Sequence, residues 1–135
     1  MSFETIKFGG KEIFCGSLDD RIPDAFPRPF AVLFLAFNEE DRRKGMLLLD
    51  SFLDKGCSEF QCAGKESEVM HDDMDEYLEK NGKKRVLTTF DGDVVNACQY
   101  HIFGVGKVSA CLIALVADYP HVVSHLKRFA AQCEG

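Results

Sequence analysis

Apolar and polar positions alternate in two short runs at the start of the chain, FETIKFGGKEIFCG, on either side of Gly9-Gly10. Alternation of period two around paired glycines predicts a β-hairpin over residues 1–16. Residues 17–29 follow, with Pro23, Pro27 and Pro29. Proline spacing of this kind excludes helix interior and predicts an extended surface linker. From residue 30 the pattern becomes regular. FAVLFLAF (30–37) is an unbroken apolar run, as expected of a strand covered on both faces. Asn38 can cap a helix, and Glu39, Glu40 and Asp41 suit its positive end. That helix carries Met46, Leu49, Phe52 and Leu53 at helical spacing and closes at Lys55-Gly56.

The rhythm repeats. SEFQCAG (58–64) reads as a second core strand, and EVMHDDMDEYLEKNG (68–82) as a helix ending at Asn81-Gly82. RVLTTF (85–90) is a third strand, with Asp93 capping the helix VVNACQYHIF before Gly104. SACLIALVA (109–117) is a fourth strand, and Pro120 opens a last helix after a cap at Asp118 or Tyr119. Strands alternating with helices predict a single α/β domain over residues 1–135. Its core, 30–135, is a three-layer, doubly wound sheet of four parallel βα units. The order expected for the core strands is 2-1-3-4, with the hairpin extending an edge or covering one end.

Composition narrows the classes. The formal net charge is −6, and the basic residues are scattered, which argues against nucleic-acid binding. No apolar run approaches the ~20 residues that span a bilayer. The first residues lack the basic-then-apolar pattern of a signal peptide. A cytoplasmic protein without membrane contact is the expectation. The cysteines are Cys15, Cys57, Cys62, Cys98, Cys111 and Cys133. Cys57 and Cys62 bracket a predicted strand, about 16 Å apart at ~3.3 Å per residue, too far for a bond. Buried reduced thiols are expected.

Candidate chemistry follows from the fold. Ligands of open α/β sheets bind beyond the carboxyl ends of the strands, at a topological switch point. The acid-rich stretch 68–79 fails this test. At 100° per residue Met70, Met74, Tyr77 and Leu78 form one apolar stripe, and the carboxylates scatter around the rest of the helix. Only His71 and Asp75, four apart, can touch. Better placed are Glu39 and Glu40 after the first core strand and Asp91 and Asp93 after the third. If those strands are neighbours, the four carboxylates crowd the switch point, an oxygen-rich setting for Mg²⁺. The arrangement is similar to the Toprim pattern of a glutamate after one strand and Asp-x-Asp after a later one. The glycine that should follow the glutamate is absent, as is the rest of the motif. His121 and His125, one helical turn apart, could hold Zn²⁺ with a third ligand. Cys62, at a strand end before a helix, is the candidate nucleophile. The dinucleotide fingerprint, the P-loop and the nucleophile elbow are absent.

The run GKESEVMHDDMDEYL, followed by VLTTFD, resembles an uncharacterised bacterial family of small α/β domains. The resemblance covers the middle third of the chain. It implies an α/β fold and carries no activity or catalytic residue with it. The sequence therefore points to a non-catalytic binding or protein-interaction module. Its hairpin edge, with Phe3, Phe8 and Phe14, is where a partner or a second copy in a dimer is expected to add. The alternative is a divalent-metal-dependent phosphoryl-transfer or hydrolytic enzyme using Glu39, Glu40, Asp91 and Asp93.

Overall fold

The computed structural model describes residues 3–83 and 85–133. The hairpin forms first: β1 (Glu4–Phe8) pairs antiparallel with β2 (Lys11–Cys15). Gly9 and Gly10 turn the chain with φ of 49° and 81°, a left-handed pair that glycine adopts without a Cβ clash. The core then runs β3 (Phe30–Leu35), α1 (Glu39–Leu47), α2 (Leu49–Lys55), β4 (Cys57–Ala63), α3 (Ser67–Lys80) and β5 (Leu87–Asp91). It continues through α4 (Val94–Tyr100), a π-helical turn (His101–Val105), α5 (Gly106–Val108), β6 (Cys111–Leu115) and α6 (Pro120–Gln132).

All six strands join one sheet in the order β1-β2-β6-β3-β4-β5. β2, β6, β3, β4 and β5 are mutually parallel, and only the hairpin pair is antiparallel. The expected class holds: a doubly wound α/β sheet extended by an N-terminal hairpin. The expected order of the core strands does not. In that numbering the observed order is 4-1-2-3, not 2-1-3-4. Side-chain chemistry explains the difference. Every residue of β6 is buried, whereas β5 (LTTFD) is half-exposed along its length. A strand of aliphatic residues takes the interior, and the strand with two threonines and an aspartate takes the edge.

Two apolar layers sandwich the sheet. Alternate β3 residues feed each: Ala31, Leu33 and Leu35 face α4, the π-turn and α6. Phe30, Val32 and Phe34 face α2 and α3. Phe34 packs edge-on against Phe52 at 6.1 Å and tilted against Phe60 at 5.8 Å. The expected stripe of α3 is present, with Met70, Met74 and Leu78 buried and Tyr77 partly so.

Helix ends follow their local signals. Asn38 Oδ1 accepts the Asp41 amide, Asp93 Oδ1 accepts the Asn96 amide, and Gly56 ends α2 at φ 101°. Tyr119 occupies the cap position of α6 without a side-chain cap bond. Two expectations need correction. The linker does not simply cross the surface, because its Leu18 and Phe26 are buried in the α2/α3 layer. The fourth helix does not stop at Gly104, because the π-turn carries it on to Val108. No helix among the described residues is long and apolar enough to cross a membrane.

Candidate functional site

The strand order moves the switch point to the gap between β3 and β6, and the chain's own side chains fill it. Asp41 is buried and accepts the Phe37 amide at 3.2 Å and the Tyr119 hydroxyl at 2.9 Å. The Phe37 and Tyr119 rings meet edge-on at 4.7 Å. The crevice where the fold rule places a ligand is therefore a self-satisfied plug that clamps the start of α1 to the loop before α6.

The same order separates the acidic candidates. β4 lies between β3 and β5, so Glu39 and Glu40 start two strand spacings from Asp91, about 10 Å at ~4.8 Å each. Glu40 pairs with Arg43 at 2.7 Å and Lys44 at 3.8 Å, and the Arg43 hydrogen bond holds its carboxyl below the ordinary value. Asp91 Oδ1 accepts the Asp93 amide at 2.8 Å, closing a turn, while Asp93 caps α4. The crowding expected of Glu39, Glu40, Asp91 and Asp93 does not occur, because the strands that carry them are not neighbours.

The other candidates resolve as follows. His121 and His125 have ring centroids 6.4 Å apart, and His121 also meets Tyr119 edge-on. Among the described residues no group of three His, Cys, Asp or Glu side chains is placed to hold a metal ion. Cys62 is not a strand-end nucleophile. It is buried, its thiol donates to Met74 Sδ at 3.5 Å, and burial pushes its pKa up to about 12. At neutral pH it stays a thiol and packs as an apolar side chain. His71 and Asp75 do touch, at 3.5 Å. The His71 ring lies on Phe90, and Asp75 takes the Thr88 hydroxyl. The pair fastens α3 to β5.

The polar site that the structure assembles lies elsewhere, on the α4 face of β4 and β5. Glu59 and Gln61 alternate with Phe60 along β4, and both are buried. Thr89 is the partner of Gln61 in β5, and Leu87 and Asp91 flank it on the same face. From α4 come Ala97 and Tyr100, one turn apart. The Thr89 hydroxyl and the Tyr100 hydroxyl both donate to Glu59 Oε2, at 3.3 and 3.2 Å. A side chain at Gly104 would meet the Tyr100 ring at 2.6 Å. A glycine there lets the ring lie back toward β4. Burial raises the Glu59 pKa, and the two hydroxyls hold it down in part.

Behind Gln61 sits His101, the first residue of the π-turn and fully buried. Its Nδ1 hydrogen-bonds Gln61 Oε1, while Nε2 has no hydrogen-bond partner among the described residues. Burial pushes its pKa down to about 3, opposed in part by the nearby Ile113 backbone. The imidazole is neutral at any ordinary pH. In front of Gln61 is a cavity of about 280 Å³, lined among others by Gln61, Thr89, Asp91, Ala97 and Tyr100. Sequence reasoning missed this cluster. Its signal was present in SEFQCAG: two polar residues, Glu59 and Gln61, on one face of a strand covered by helices on both sides must find buried partners.

β5 also forms one border of the sheet. Leu87 and Phe90 project on its opposite faces and are 61% and 44% exposed. The other border, β1, is guarded by exposed Glu4 and Lys7. Phe3, Phe8 and Phe14 are not free for a partner. Phe8 is buried against the α4/α6 layer, and Phe3 and Phe14 pack on the opposite layer. No family model, curated protein or solved structure matches this chain.

Proposed function

We propose that this chain is a non-catalytic protein-interaction module of the cytosol, and that its docking element is the free edge of β5. The observation that carries the reading is the contrast between the two borders. β1 has the charged residues by which natural edges resist pairing. β5 has its only charge at its end, Asp91, and exposes Leu87 and Phe90 on either side of an unpaired backbone. Such an edge accepts an extended segment by main-chain hydrogen bonds, with alternate side chains read on the two faces. Six free cysteines, five of them buried, suit a reducing compartment.

The occupant is an extended segment of a partner protein. A second copy is less suited, because an antiparallel pairing of two five-residue β5 strands is short. Stable dimers bury about 1,200 Å² or more in total.

The test is selection of peptides from a random extended library on the full chain. Peptides are expected to bind the native protein and to lose at least tenfold in affinity to a Leu87→Lys/Phe90→Lys variant, whose charges guard the edge as β1 is guarded. Circular dichroism must show that the variant is folded. Peptides binding both proteins equally would overturn the reading. A wild-type dimer that the variant abolishes would replace the partner with a second copy.

A further inference from the structure

We infer that the cavity between α4 and β4–β5 is a subsite for a cationic side chain, arginine or lysine, of the segment that adds to β5. The inference rests on the docking reading above and names what the edge selects. β5 is the last strand of the sheet, and three of its residues, Thr89, Phe90 and Asp91, line the cavity. A strand added beside it would run about 4.8 Å away. It would project every second side chain onto the face that carries Leu87, Thr89 and Asp91.

The chemistry of the cavity favours a cation. Asp91 supplies a carboxylate whose Oδ1 accepts the Asp93 amide. Glu59 lies behind the Thr89 and Tyr100 hydroxyls, both of which donate to its Oε2. Gln61 adds an amide, and the Tyr100 ring, 44% exposed, offers a face to a cation. Among the described residues no lysine, arginine or histidine lines the cavity. An anionic group would meet the Asp91 carboxylate and, among the described residues, no counter-charge. A guanidinium or ammonium group brings donors and the opposite charge to Asp91. The volume, about 280 Å³, equals roughly nine waters at ~30 Å³ each. It admits one alkylguanidinium or alkylammonium chain.

The test titrates the ¹⁵N-labelled full chain with n-butylguanidinium chloride, against sodium butyrate and potassium chloride at equal ionic strength. Saturable shifts are expected at Thr89, Asp91, Ala97 and Tyr100 with butylguanidinium only. Asp91→Asn keeps the oxygen that takes the Asp93 amide and should weaken binding at least fivefold. Asp72→Asn, on the exposed face of α3, should leave it unchanged. A second arm uses peptides that engage β5, with each arginine or lysine replaced in turn by norleucine. One position is expected to lose at least fivefold, and Asp91→Asn should erase that difference. No shift with the probe, or shifts spread over the acids of α3 and insensitive to Asp91→Asn, would overturn the subsite. Peptides that bind at β5 with no basic preference would overturn it too and leave the docking reading standing. Probe binding at the cavity with no peptide at β5 would overturn the side-chain source and the docking reading together.

Discussion

Replacing Phe34 by alanine is expected to cost about 3–5 kcal/mol of folding free energy. The ring is fully buried at the centre of the sheet. It touches Phe52 of α2 edge-on and Phe60 of the next strand at an angle, and such ring pairs add about 0.5–1.5 kcal/mol beyond the area they bury. Phe30 and Phe52 extend the same stack, so neighbouring rings cannot collapse into the space without giving up their own geometry. Urea unfolding of wild type and variant, with equal m-values, measures the difference. A loss of this size is a large part of the ~5–15 kcal/mol that holds most domains together. A loss below about 1 kcal/mol would mean that Phe34 is not at the centre of the α2/α3 layer.

The second large effect is on pH dependence, and its source is His101. In the fold the ring is neutral down to about pH 3, because burial excludes the charged form. In the unfolded chain the ring takes a proton near its ordinary value of about 6.5. Below that pH the unfolded state binds a proton that the native state refuses. Stability therefore falls as pH falls, by up to about 1.4 kcal/mol per pH unit. From pH 7.5 to pH 5 the loss assigned to this one residue is roughly 2 kcal/mol. Glu59 acts in the opposite sense. Its raised pKa lets the fold keep a proton that the unfolded chain has released, so its contribution grows as pH falls. A His101→Gln variant retains Glu59 and an amide partner for Gln61. It is expected to be less stable than wild type at pH 7.5 and to lose distinctly less between pH 7.5 and 5. Parallel stability curves for the two proteins would show that His101 is not held neutral. His101, at the start of the π-turn, satisfies Gln61 on the buried face of β4.

The sequence made the elements legible because their signals are local. Asn38 and Asp93 at helix starts, Gly56 at a helix end, Gly9-Gly10 in the hairpin and Pro120 at the head of α6 each impose a backbone geometry within a few residues. The α3 stripe of Met70, Met74 and Leu78 follows from helical period alone. Strand order is a different kind of information, set by which strands can tolerate a border. The clue lay in the contrast between CLIAL and LTTFD, the first wholly apolar and the second half polar. Missing it placed Asp91 beside Glu40, and the acidic site followed from that misplacement.

The polar cluster was hidden for the same reason. Glu59, Gln61, Thr89, Tyr100 and His101 come from two strands, α4 and the π-turn, and Thr89 reaches Glu59 only when β5 is set beside β4. Cys62 stood out as a candidate nucleophile at a strand end before a helix, but α3 covers it with Met74. The hairpin phenylalanines looked like a docking strip, but a β-edge is exposed in its backbone while its side chains lie on the two faces. Phe8 is buried on one face and Phe14 packs on the other. At the β5 border Leu87 reaches solvent, and so does the part of Phe90 that His71 of α3 leaves uncovered.

Residue-resolved amide hydrogen exchange would decide whether β5 is the docking element. The full chain is compared alone and with a saturating selected peptide. Backbone amides within Leu87–Asp91 that point away from β4 should slow by at least tenfold when the peptide is bound. Those of β1, Glu4–Phe8, should exchange at unchanged rates. Protection at β1, or binding that slows no amide of β5, would contradict the assignment of the docking edge.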